Sequence, residues 1–114
     1  MRFLLPLALL ATPALADLPV VKGAVARNTS SGWSFDVAVR HADTGWDHYA
    51  DGWSLTLADG TVLGHRQLLH PHVEEQPFTR SLGGIVIPDG VERVMIRAHD
   101  NVHGWGPELE VDLP

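Results

Sequence analysis

The chain has 114 residues, a formal net charge of −6 and no cysteine. That length suits one domain rather than two. The acidic balance argues against nucleic acid or an anionic membrane surface as a partner, since both call for a basic patch, and an exported domain of this composition has no disulfide to lean on.

The first sixteen residues read as a secretory leader. Arg2 supplies the positive end, Phe3 to Leu10 is almost wholly apolar, and Ala14-Leu15-Ala16 gives a small-x-small cleavage site. The apolar run is shorter than the ~20 residues of a membrane-spanning helix. No cysteine follows it, which excludes a lipid anchor through that residue. The expectation is a mature chain that begins at Asp17, is periplasmic or secreted, and inserts in no membrane after cleavage. Residues 17–114 then form one β domain.

From Asp17 the segments are short, rich in Val, Ile, Leu and Trp, and separated by Gly, Asp and Pro, the pattern of strands with tight turns. Leu18 to Arg27 offers Val21 and Val25 as inward positions, with a turn over Asn28 to Gly32. Trp33, Phe35, Val37 and Val39 alternate with polar residues, a period of two that predicts a half-buried strand. The same parity puts His41 on the apolar face. Residues 42–52 are expected as a long connection with a helical turn around Asp47 to Asp51. Trp53, Leu55 and Leu57 form the next strand and Asp59-Gly60 a type I′ hairpin. Val62 to Leu69 returns, with a bulge at Gly64. Leu82 to Ile87 precedes a turn at Pro88-Asp89-Gly90. Val94, Ile96 and Ala98 share a face in the following strand, and Leu109, Val111 and Leu113 in the last. About seven strands without a long amphipathic helix predict an all-β, antiparallel sandwich of the immunoglobulin-like or fibronectin-III-like kind, without a disulfide.

Six of the seven histidines fall in three polar clusters, 41–51, 70–80 and 99–105. In His70-Pro71-His72 the proline pushes His70 towards an extended conformation, so both imidazoles can face one way. They are candidate ligands for copper or zinc, with His48, His99, His103, Glu74 and Glu75 as further donors. Histidines bonded only to loop backbone are the plainer alternative. Asp43, Asp47 and Asp51 recur at every fourth residue. Their spacing does not match a calcium loop, and bonding to turn backbone suits them better. Arg80 is a planar donor fork that can pair with one of those aspartates. Trp46, Tyr49 and Trp105 accompany the clusters as a ligand wall, a protein contact or a cap on the core, whereas Trp53 belongs to the core.

Covalent catalysis has little support, since there is no cysteine nucleophile, no G-x-S-x-G elbow and no phosphate-cradling loop. Strand counting places the three clusters on the second, fourth and sixth connections, which share one end of a sandwich. The reading is a non-enzymatic periplasmic binding or interaction domain, whose partner is a small ligand, a metal or a periplasmic protein. The alternative is a copper or zinc protein, or a metal-dependent enzyme, using the same histidines.

The segments His41-Ala-Asp-Thr-Gly-Trp-Asp-His-Tyr-Ala-Asp51, Leu69-His-Pro-His-Val-Glu-Glu-Gln-Pro-Phe-Thr-Arg80 and Ala98-His-Asp-Asn-Val-His-Gly-Trp105 resemble a family of small exported proteobacterial proteins without an assigned function. The resemblance implies export and a compact domain, and it supplies no site residues.

Overall fold

A computed structural model describes residues 17–114. The leader assigned to residues 1–16 lies outside them. The described chain is all-β: β1 (Val20–Thr29), β2 (Gly32–Arg40), β3 (Ala50–Thr56), β4 (Val62–Gln67), β5 (Phe78–Ile85), β6 (Arg93–Asp100), β7 (Gly104–Trp105) and β8 (Leu109–Asp112). They form two antiparallel sheets. One has the order β1-β2-β5; in the other β4-β3-β6 is extended by β7 and β8, which both pair with β6.

The inward faces follow the alternation. Phe35, Val37 and Val39 of β2 meet Trp53 and Leu55 of β3 and Val94, Ile96 and Ala98 of β6, all fully buried. Each such side chain contributes on the order of 1.5–3 kcal/mol by leaving water, and this core holds the two sheets face to face without a disulfide. Trp53 lies in that core, as its position in the alternation predicts.

Several expectations are corrected by irregular pairing. Val21 is buried, but Val25 is 56% exposed. A bulge between Val21 and Gly23 shifts the parity of β1, so Ala24 and Ala26 pack inward instead. The turn at Asp59-Gly60 is not type I′, because Gly60 alone takes a positive φ (91°) and Asp59 does not. The irregularity expected at Gly64 falls one residue earlier, where Leu55 pairs with Gly64 and Thr56 with Val62. No helical turn forms around Asp47 to Asp51; a Gly45–His48 bridge closes that loop and β3 already begins at Ala50.

The connections are also shorter than expected. Thr79 and Arg80 belong to β5, paired with Ala38 and Val37. His99 and Asp100 belong to β6, paired with Gly52 and Ala50. In each case ladder hydrogen bonds from a neighbouring strand carry the element past the point where apolar alternation stops.

Candidate functional site

His41 and Asp100 reach the same place by the same rule. On β2 the buried series Phe35, Val37, Val39 continues to His41; on β6 the series Val94, Ile96, Ala98 continues to Asp100. Successive inward positions of two facing strands thus turn polar at one end of the sandwich. Both side chains there are fully shielded from solvent.

Asp43 anchors this end. Its Oδ1 accepts from His41 Nδ1 at 2.5 Å and from the Ala50 amide at 3.0 Å, while Oδ2 accepts from the His72 amide at 2.7 Å. One buried carboxylate therefore joins the 41–50 and 70–77 segments. Asp100 acts similarly on the 101–103 turn, its Oδ1 accepting from the backbone amides of Val102 (2.8 Å) and His103. Asn101 holds the remaining loop, accepting from the Tyr49 amide at 2.8 Å and donating to the carbonyls of Trp46 and Asp47.

The other oxygen of Asp100 faces two imidazoles. His41 Nε2 lies 3.1 Å from Oδ2 and His48 Nε2 lies 3.4 Å from it. The Asp17 carbonyl oxygen is also 3.1 Å from His41 Nε2. Ligand atoms of His41, His48 and Asp100 all lie within 4.8 Å of one another. Burial pushes the Asp100 carboxyl up, but the amides of His103 and Val102, with His48 and His41, outweigh it and hold the group below its ordinary range.

This arrangement has a chemical consequence. A carboxylate only accepts, so His41 Nδ1 must donate to Asp43. A neutral ring then turns a lone pair on Nε2 towards two oxygen acceptors. Only a cation on that side, a proton or a metal ion, makes the contact favourable. The two separations from Asp100 Oδ2 fit a metal: two ligands on one tetrahedral zinc with bonds of about 2.0–2.1 Å lie about 3.3 Å apart. The carboxylate behind His41 fixes the ring as metal-binding imidazoles are usually fixed.

The other sequence candidates are placed as follows. His103 packs edge-on to His48, ring centroids 4.9 Å apart, and is exposed. His72 is buried against Phe78, their rings stacked at 3.9 Å, and its Nε2 accepts from Arg80 Nη2 at 2.8 Å. Burial and the Arg80 charge both lower its pKa. His70 donates through Nδ1 to the Pro71 carbonyl, and its ring lies 4.6 Å from that of His72. Glu74 and Glu75 are exposed on the same connection. Arg80 forms no ion pair with Asp43, Asp47 or Asp51 among the described residues, because β5 aims it at His72 and the Thr79 carbonyl.

His99 and Asp51 form a separate pair. Adjacent strand residues point to opposite faces, so His99 leaves the buried end where Asp100 enters it. His99 Nδ1 donates to Asp51 Oδ1 at 2.5 Å, and the ring packs against Trp105, which Arg97 covers at 4.4 Å. His65 and Gln67 line the same outer cleft. Trp46 is 65% exposed and rests edge-on against Tyr49. Asp47 is exposed, its carbonyl held by Asn101. Asp100 and Asn101 are what the sequence reading missed; extending the 94, 96, 98 parity by one step finds the first, and no local signal marks the second.

The fold and this end define a disulfide-free β-sandwich with a buried histidine–aspartate cluster at one pole. No protein-family model matches the chain, and no solved structure matches it. A protein of Halomicrobium mukohataei described as "Putative lipoprotein" is 44% identical over 77 residues, covering 68% of this chain. Those residues are 37% of that protein, so the chain spans well under half of its length. The resemblance to small proteobacterial proteins is thereby corrected: the similarity found is to a haloarchaeal protein. The motif residues serve a buried hydrogen-bond network, a physical role that carries no mark of lineage.

Proposed function

We propose that residues 17–114 are an exported, non-enzymatic metal-binding domain that takes Zn²⁺ or Cu²⁺ through His41, His48 and Asp100. The observation that carries this is the opposition of His41 Nε2 and Asp100 Oδ2 at 3.1 Å while His41 Nδ1 is committed to Asp43. Two imidazoles and a carboxylate suit either ion. The leader-like start and the description of the haloarchaeal relative support export, with the periplasm as the compartment. Two antiparallel sheets, of three and five strands, support an immunoglobulin-like or fibronectin-III-like membership.

Calorimetric titration of residues 17–114 with Zn²⁺ and Cu²⁺ tests the reading. It predicts one site that His48→Ala weakens at least about tenfold, since one ligand is lost. Unchanged affinity in His48→Ala would overturn the assignment.

A protein partner at the same pole is the second reading. Trp46, Leu69, Val73 and Val102, from three joined loops, are each more than half exposed. Large apolar side chains gathered beside a site favour a contact surface.

A further inference from the structure

The chain that enters β1 is pinned beside the metal cluster. Pro19 is fully buried, and its carbonyl oxygen lies where only a glycine at position 106 leaves room, since a Cβ there would sit 1.8 Å from it. Val20 then pairs with Arg40, the residue before His41. Two residues ahead of Pro19, the Asp17 carbonyl oxygen stands 3.1 Å from His41 Nε2, the same separation as the Asp100 carboxylate. The small-x-small motif Ala14-Leu15-Ala16 ends at the bond before Asp17.

Resting on the metal reading above, we infer that removal of the leader completes the site: the α-amino group of Asp17 becomes a ligand and closes a five-membered chelate with the Asp17 carbonyl oxygen. Before cleavage the Asp17 nitrogen is an amide whose lone pair is delocalised into the carbonyl of residue 16 and binds no metal well. A leader peptidase adds water across the Ala16–Asp17 bond, leaving the carboxylate on Ala16 and an amine on Asp17. That amine sheds one proton when it binds the ion. His41, His48, Asp100 and the new amine then give three nitrogens and a carboxylate, with the Asp17 carbonyl completing the chelate. A nitrogen-rich set of this kind favours Cu²⁺ over Zn²⁺. The precursor binds weakly and the processed protein tightly, so loading is confined to the compartment where the leader is removed.

The test compares two proteins by Cu²⁺ competition titration and electron paramagnetic resonance. One begins at Asp17; the other keeps Ala16 as a one-residue extension. The inference predicts that the extension weakens Cu²⁺ binding at least about tenfold, about 1.4 kcal/mol, with loss of one nitrogen from the copper spectrum. His48→Ala in the Asp17 form should remove a different nitrogen. Equal affinity and identical spectra for the two starting points would overturn the inference while leaving the histidine site in place. No binding of Cu²⁺ by either form would overturn the inference, and no binding of Zn²⁺ as well would overturn the histidine site.

Discussion

Replacing Asp43 by alanine removes the one side chain that ties two loops and a histidine together. Three donors lose their acceptor: His41 Nδ1 at 2.5 Å, the Ala50 amide at 3.0 Å and the His72 amide at 2.7 Å. Hydrogen bonds to a charged group are worth about 1.5–3 kcal/mol each, and a buried donor left alone costs about 1–3 kcal/mol. Because the three share one carboxylate, their losses do not simply add; a combined destabilisation of about 5 kcal/mol follows from these ranges. A domain of this size has only about 5–15 kcal/mol in total. Urea denaturation followed by tryptophan fluorescence should show the midpoint fall by roughly 2–3 M at an ordinary slope for a small protein. Asp43→Asn keeps an acceptor oxygen but turns an amide N–H₂ towards one of the donors, so about half that loss is expected. A loss under about 1 kcal/mol in Asp43→Ala would refute the reasoning, because no unpaired buried donor comes that cheaply.

Gly106→Ala should destabilise by about 1–3 kcal/mol or more, since its Cβ would overlap the Pro19 carbonyl oxygen; a thermal melt matching wild type would contradict that close approach. His72 has a folded pKa below the ordinary 6.5, from burial and then from Arg80, so the unfolded chain binds more protons as pH falls through that value. Stability should therefore be fully present above about pH 6.5 and decline below it, with His72→Phe flattening the decline in a urea-midpoint series from pH 8 to 5. Asp100 adds to the same trend at lower pH: its carboxyl is held below its ordinary 3.8, so its contribution is lost as pH falls through and below that value. Asn101→Ala should cost about 1–2 kcal/mol and loosen the 45–49 loop, seen as faster amide exchange at Tyr49, whose N–H Asn101 accepts; unchanged exchange there would assign the loop's order to other contacts.

The fold was legible because apolar alternation and turn residues act locally. Phe35, Val37 and Val39, and Val94, Ile96 and Ala98, announce buried faces without any knowledge of their partners. Strand ends were less legible, since Arg80 and His99 are held by ladder bonds from β2 and β3 that polar side chains do not signal. The site lay partly in view. Parity alone marks His41, and one more step marks Asp100, but nothing local says that β2 and β6 end opposite each other. Spacing alone cannot say what the His70–Pro71–His72 pair faces, and in the fold a guanidinium from β5 approaches His72 Nε2. That approach is a tertiary event 8 residues along the chain, invisible to spacing.

The central claim is that His41, His48 and Asp100 hold one metal ion. Anomalous diffraction from crystals of residues 17–114 grown with Zn²⁺ or Cu²⁺ tests it most directly. The account predicts a single strong peak about 2.0–2.2 Å from His41 Nε2, His48 Nε2 and Asp100 Oδ2, with Asp43 still bonded to His41 Nδ1. A peak on His70 and His72, at the His99–Asp51 cleft, or nowhere on the protein would contradict it.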